Sequence, residues 1–129
     1  MEPDWLTLGI VKGLHLHAIA VAGGSSGIRD EGLLQSAIDR PRNFYADGDT
    51  PSIHQLAATY CIAIVRNHPF IDGNKRTGIL ATAVFLDLND YNFRPNEAEA
   101  ARIVIALAAS EADETVFAHW VADFTIRKS

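Results

Sequence analysis

The chain has 129 residues, which is enough for one domain with a real core and leaves little room for a second. Its hydrophobic fraction of 48% and charged fraction of 21% are ordinary for a folded globular protein and argue against a disordered chain. The formal net charge is -5 and the basic residues are scattered, so the sequence predicts no direct binding of nucleic acid.

The cysteine count and the N-terminal residues restrict the class further. Cys61 is the only cysteine, so no internal disulfide or cysteine zinc cage can form, and its apolar neighbours predict a buried thiol. The first residues lack the charged start and apolar core of a secretion signal, and no run approaches the ~20 apolar residues of a membrane span. We therefore expect a cytoplasmic protein with no membrane contact and a single domain over residues 1–129.

The first third of the chain has the apolar spacing of helices. Apolar residues recur every four positions over 6–18, which predicts an amphipathic helix that ends at the glycine-rich run 23–27. Asp30 can cap a second, short helix that stops before Pro41, since proline disfavours helical geometry in the residue before it. Residues 42–49 carry mixed polarity and turn residues, and we expect a loop there.

The remaining two thirds predict four more helices. Thr50 and Pro51 resemble an N-cap followed by proline at the first helical position, and predict a third helix to about residue 67. A fourth spans about 74–89 and is apolar on most sides, as a central helix is. The last two are predicted after Asn96 and over about 113–126. No period-two run is long enough to demand a sheet, so the predicted fold class is all-α, a compact single-domain bundle of about six helices.

A polar segment between the third and fourth helices carries the candidate chemistry: His68-Pro69-Phe70-Ile71-Asp72-Gly73-Asn74-Lys75-Arg76. Histidine is the side chain best suited to accept a proton near neutral pH, and the phenylalanine is expected to anchor the loop in the core. The start of the fourth helix offers free N–H groups to an anion, and the glycine lets a phosphate approach the backbone. Two cations at that end oppose the helix dipole unless an anion compensates them.

These residue types together are what phosphoryl transfer requires: a base, a metal ligand and a phosphate clamp. A single carboxylate beside a phosphate site suits Mg²⁺, which is otherwise held by phosphate oxygens and water. The candidate catalytic residues are His68, Asp72 and Arg76; the candidate phosphate- or nucleotide-binding residues are Gly73, Asn74, Lys75 and Arg76; the candidate metal ligand is Asp72.

The same segment resembles the Fic signature, His-x-Phe-x-Asp/Glu-Gly-Asn, and more closely its form in the death-on-curing (Doc) branch of the Fic/Doc family, where Asn-Lys-Arg follows. Residues 27–34, 40–41 and 77–89 also look like that branch, so the resemblance covers most of the chain. It implies a Fic-fold toxin of a toxin–antitoxin pair that uses ATP and Mg²⁺. It also implies a protein substrate, a hydroxyl on a translational GTPase such as elongation factor Tu.

Two positions depart from the adenylyltransferases of the family, which have glycine in place of Lys75 and an arginine in place of Ile79. The resemblance implies that the nucleotide then binds in the opposite direction, with its γ-phosphate towards the target hydroxyl. The expected activity is therefore that of a protein kinase, and a Fic-type adenylyltransferase is the alternative. The inhibitory pattern Ser/Thr-x-x-x-Glu-Gly/Asn has no match, because Thr115 follows Ser110 and Glu114. A cognate, Phd-like antitoxin acting in trans is expected.

Several other readings stay open at this stage. The loop could be a structural helix–helix connection, Asn74 could be only an N-cap, and the fold could serve as a catalytically silent binding module. A metallohydrolase competes as a class, although the familiar two-histidine zinc motif is absent. Residues 29–31 could shape a substrate rim or form a solvated capping cluster. The remaining histidines are interpreted as ordinary polar or boundary residues: His15, His17, His54 and His119.

Overall fold

The computed structural model describes residues 2–129, and within that range it contains six α-helices and one two-stranded antiparallel sheet. In chain order the elements are α1 (Leu8–Ala22), α2 (Glu31–Ala46), α3 (Ile53–Asn67), α4 (Asn74–Leu88), β1 (Tyr91–Phe93), α5 (Glu97–Ala108), α6 (Glu114–Asp123) and β2 (Thr125–Arg127). The predicted all-α bundle of about six helices is confirmed. No helix in 2–129 is long and apolar enough to cross a membrane.

The core is built around α3, whose residues 56–65 are all buried. Helix α4, which the sequence suggested as the central helix, instead buries one face at intervals of three and four residues. The two helices approach closely at Gly78, where an added Cβ would lie 3.1 Å from both Cys61 Sγ and Val65 Cγ2. This close contact fixes the start of α4 against the end of α3, and the candidate loop joins these two ends.

Helix α2 is longer than predicted. Asp30 caps it as expected, but the helix passes through Pro41 and ends at Ala46, so the predicted stop and the predicted loop over 42–49 are wrong for most of that range. A proline inside a helix costs about 3 kcal/mol. Pro41 is itself buried, and beyond it Tyr45 packs edge-on against Trp5 with ring centroids 5.6 Å apart. These tertiary contacts offset the local cost.

Helix α3 begins two residues later than predicted. Ser52 is its N-cap, and Ser52 and Gln55 form a reciprocal capping box with hydrogen bonds of 3.1 and 2.7 Å. Thr50 has a positive φ of 45° and lies outside the helix. The proline at position 51 therefore precedes the cap instead of following it.

The C-terminal residues do not extend the last helix to Ile126. Helix α6 ends at Asp123, and β2 pairs with β1 in the register Tyr91↔Arg127 and Phe93↔Thr125. Strands of three residues are too short to show a period of two in the sequence. The small sheet ties the end of the described chain to the connection between α4 and α5.

Candidate active site

The loop begins at His68, which ends α3 in the left-handed conformation with φ 51° and ψ 54°. Such a backbone costs a non-glycine residue about 1–2 kcal/mol. Arg29 stabilises this turn, because its Nε donates to the carbonyl of His68 at 2.7 Å and its Nη2 donates to that of Asn67 at 3.0 Å. Carbonyls at the end of a helix carry partial negative charge, so a guanidinium is favourable there. Arg29 thus stabilises the backbone at the start of the loop, and His68 itself remains exposed.

Phe70 anchors the centre of the loop in the core, as predicted, with none of its surface exposed. The side chain of Asn74 holds the same residue by its backbone, accepting from Phe70 N at 3.0 Å and donating to Phe70 O at 2.9 Å. The N-cap of α4 is Gly73, and Asn74 is the first helical residue. The reading of Asn74 as only an N-cap is therefore wrong: its side chain is used to shape the loop.

A second segment, residues 27–30, lies beside the loop and pairs with it. Ile28 and Phe70 form an antiparallel bridge, and the N–H of Ile71 donates to the carbonyl of Gly27 at 3.0 Å. The N–H of Arg29 donates to the carbonyl of Pro69 at 2.7 Å. The connection between α1 and α2 therefore lies against one side of the loop and is hydrogen-bonded to it.

The carboxylate of Asp72 is fixed by two backbone N–H groups. Oδ1 accepts from Gly73 at 3.1 Å, and Oδ2 accepts from Ser25 at 3.2 Å. Gly24 makes this approach possible, because a Cβ at its position would stand 2.7 Å from Asp72 Oδ2. The glycine-rich run 23–27, predicted only as a flexible loop, thus positions the candidate metal ligand.

His15 also contacts the loop and is not the boundary residue that the sequence suggested. It lies in α1, is 2% exposed, and stacks on Phe70 with ring centroids 3.8 Å apart and planes 5° apart. Its Nε2 is 2.9 Å from the backbone oxygen of Asp72. Nothing in the local sequence separates His15 from its neighbour His17, because its partners are distant along the chain.

One cleft of about 290 Å³ brings all the candidate residues together. Its lining consists of Ala18, Ala22, Gly23, His68, Asp72, Gly73, Asn74, Lys75 and Arg76. Lys75 and Arg76 are exposed, and neither takes part in any of the four salt bridges found within residues 2–129. Helix α4 has no side-chain cap and no acidic residue in its first turn, so Asp72, which precedes the N-cap, is the one carboxylate in the lining of the cleft at its positive end.

Comparison with known protein families decides the relationship that the motif suggested. The model of the family described as Fic/DOC matches residues 5–86, which is more than half of the chain and includes the whole loop. The chain belongs to the Fic/DOC family. All six candidate residues lie inside the matched range, as do the supporting residues His15, Gly24 and Arg29.

Two curated members of the family are similar to this chain over part of its length. The protein named Toxin Doc from Mycolicibacterium smegmatis is 40% identical over 68 residues, which cover 52% of each chain. The protein named Protein kinase doc from Escherichia phage P1 is 34% identical over 76 residues, or 59% of this chain and 60% of that protein. The matches thus span roughly half to three fifths of these relatives, and both names agree with the Doc branch of the Fic/DOC family.

The side chains of the Fic/DOC site restrict which metal the site can bind and which residue can act as a nucleophile. No cluster of three or more histidine, cysteine or acidic residues that could hold a metal occurs in 2–129, so a cage made of protein ligands alone is not formed there. Asp72 is exposed and keeps lone pairs beyond the two N–H groups that it accepts, which fits Mg²⁺ bound through one carboxylate and substrate phosphates. Cys61 is fully buried, and burial raises the pKa of its thiol, which confirms the predicted buried thiol.

Proposed function

We propose that this protein is an ATP-dependent protein kinase and the toxin of a toxin–antitoxin pair. The observation that carries the proposal is the cleft at the start of α4, which gathers a histidine, one carboxylate and two cations at a helix N-terminus that has no side-chain cap. The curated relatives named Toxin Doc and Protein kinase doc support the same reading.

In the proposed reaction His68 is the general base. Its imidazole accepts the proton of the target hydroxyl, whose oxygen attacks the γ-phosphorus of ATP while the bond to the β–γ bridging oxygen breaks and ADP leaves. Such positioned bases contribute typically 10²–10⁴-fold. The left-handed turn at His68 supports this role, because it directs the chain out of α3 and leaves the ring exposed at the cleft.

The start of α4 is proposed to bind the phosphates. The backbone N–H groups of the first turn of α4, from Asn74 onward, with the charges of Lys75 and Arg76, would neutralise the polyphosphate and the charge that develops on transfer. Gly73 would let the phosphates approach the backbone, because it has no side chain, and its own N–H is already bonded to Asp72 Oδ1. Asp72 would hold Mg²⁺, which would supply charge neutralisation for the phosphates. Asn74 would contribute through its backbone, because its side chain is already bonded to Phe70.

The choice of γ- over α-phosphate rests on two side chains. Lys75 occupies a position where the adenylyltransferases of the family have glycine, and it extends from the first turn of α4 at the cleft. Ile79, one turn further on, is packed against the core and supplies no charge for a second phosphate. Both features favour the orientation that presents the γ-phosphate, and a Fic-type adenylyltransferase remains the alternative.

Labelled ATP distinguishes these readings. The protein is incubated with a candidate target, first a translational GTPase of the elongation factor Tu type, and with ATP labelled at the α- or the γ-phosphate. We expect label on the target from the γ-position only, and none with His68→Asn. Retention of α-label would instead identify an adenylyltransferase. Absence of transfer from either position, with growth unaffected on expression, would leave a catalytically silent binding module.

Restraint of the proposed toxin is assigned to an antitoxin in trans, since no inhibitory motif is present in the sequence. A groove of about 610 Å³ between α4 and α5 opens beside Lys75 and Arg76 and has apolar walls that include Leu80 and Ile105. An amphipathic segment with acidic residues near the cleft would complement both its walls and its charged end.

Co-expression tests the antitoxin. A small protein encoded beside this one should restore growth and co-purify with the chain. The groove is tested with Ile105→Asp, which should weaken that complex, against the control Val116→Asp. The two side chains are similarly exposed, at 56% and 58%, but Val116 lies on α6, away from the groove. If both variants bound the antitoxin equally well, the groove would not be its binding site. Normal growth with the unpartnered wild-type chain at high expression would remove the toxin assignment.

A further inference from the structure

His15 lies on α1 and contacts three residues of the loop: Phe70, Asp72 and Gly73. Its ring stacks on Phe70, its Nε2 meets the carbonyl of Asp72 at 2.9 Å, and it packs beside Gly73, where an added Cβ would lie 3.7 Å from its Cδ2. A backbone carbonyl only accepts hydrogen bonds, so Nε2 must carry the hydrogen and donate it.

The bonded carbonyl belongs to the peptide unit that also holds the Asp72 carboxylate. In a trans peptide the C=O and the following N–H point in opposite directions within one rigid plane. The carbonyl of Asp72 is bound by His15 on one side, and the N–H of Gly73 donates to Asp72 Oδ1 at 3.1 Å on the other. Fixing the carbonyl therefore fixes the N–H that orients the carboxylate.

We infer that His15 is a positioning residue that clamps the Asp72–Gly73 peptide and thereby holds the Asp72 carboxylate ready for Mg²⁺. The inference rests on the proposed function for the identity of the metal, but the clamp itself is a property of the loop. Partners that orient a metal ligand typically change metal affinity 10- to 100-fold when they are removed. The function of His15 is thus to set the Mg²⁺ requirement of the site, with no contact to the substrate.

Three variants separate the hydrogen bond from the packing. His15→Phe keeps a flat ring for the stack on Phe70 and removes the donor, whereas His15→Gln keeps an amide donor at a similar reach and removes the ring. The matched control is His17→Phe, because His17 is an exposed residue on the same helix. Thermal unfolding of each variant measures the loss of stability. A purely structural role of His15 predicts such a loss and nothing else, so the two readouts below are needed to test the clamp.

The first readout is independent of catalysis: the ¹H–¹⁵N resonance of the Gly73 amide and its hydrogen exchange. His15→Phe should shift this resonance and speed exchange by about 10-fold, as expected when a local hydrogen bond is weakened. His15→Gln should lie nearer to wild type, and His17→Phe should match wild type. An unchanged Gly73 amide in His15→Phe would overturn the clamp, whether or not the protein proves to be a kinase.

The second readout is the Mg²⁺ concentration that gives half-maximal γ-phosphoryl transfer. We expect His15→Phe to raise it by about 10-fold with kcat at saturating Mg²⁺ largely retained, and His15→Gln to restore most of the difference. A changed Gly73 amide with an unchanged Mg²⁺ requirement would overturn the positioning role. If the wild-type chain transfers no phosphoryl group, the proposed function fails, and the Gly73 amide still decides whether the clamp exists.

Discussion

Replacing Gly24 by alanine should displace the Asp72 carboxylate and reduce phosphoryl transfer, and it should also lower stability modestly. The added Cβ would stand 2.7 Å from Asp72 Oδ2, and ordinary contact begins at 3.4 Å, so the carboxylate must retreat by about 0.7 Å. Displacements near 1 Å at a reacting centre can cost about 10²-fold, so we expect a 10- to 100-fold loss of phosphoryl transfer. Gly24 also has a φ of 109°, which adds roughly 1–3 kcal/mol of backbone strain to the folded state.

The control for this strain is Gly48→Ala. Gly48 has a φ of 84° in the connection between α2 and α3, and a Cβ there would meet nothing within 4 Å. Urea unfolding should therefore show a loss of stability in both variants, whereas only Gly24→Ala should lose γ-phosphoryl transfer and require more Mg²⁺. Equal activity of the two variants, measured where both are fully folded, would refute the assignment of Gly24 and Asp72.

Three further substitutions test the loop. His68→Asn should reduce transfer by about 10²–10⁴-fold with the fold retained, since asparagine tolerates the left-handed backbone better than alanine; activity close to wild type would contradict the base assignment. Asn74→Ala should lower the free energy of unfolding in urea by about 2–4 kcal/mol, because the buried backbone groups of Phe70 lose both partners, and exposed Asn43→Ala should change it by less than about 0.5 kcal/mol. Arg29→Ala should leave the last carbonyls of α3 unpaired and cut kcat more than it raises the KM for ATP, which steady-state kinetics would show.

Much of the fold and of the site could be predicted because the deciding signals are local. Asp30 and Asn96 accept hydrogen bonds from backbone N–H groups at the starts of α2 and α5, as their positions before apolar runs indicated. The loop over 68–76 is a contiguous motif, so its spacing alone brings the six candidate residues to one helix end. The structure places all of them along one cleft.

Apart from the start of α3, which is set by the local capping box of Ser52 and Gln55, the errors concern contacts between residues that are distant in sequence. The local effect of proline predicts that α2 ends before Pro41. The helix instead continues to Ala46, where the packing of Tyr45 on Trp5 stabilises the additional residues. The contacts of His15 and Ser25 with Asp72 join residues 57 and 47 positions apart, and no sequence pattern near either residue predicts them. The sequence alone therefore indicated which candidate side chains share the loop and that Phe70 anchors it, but it missed His15, Ser25 and Arg29, which hold the loop from other segments.

The pairing of residues 27–30 with the loop also has a consequence for how the molecule folds. Helices α3 and α4 are neighbours in sequence and can pair early, whereas the bridge between Ile28 and Phe70 must close a long stretch of chain first. During synthesis residues 27–30 leave the ribosome before the loop does, so they stay unpaired until the loop has been synthesised. A molecule with its central helical hairpin formed and its first third undocked would carry the complete motif without a working cleft. The cleft is thus expected to form late, in the same step that docks the first third of the chain onto the core.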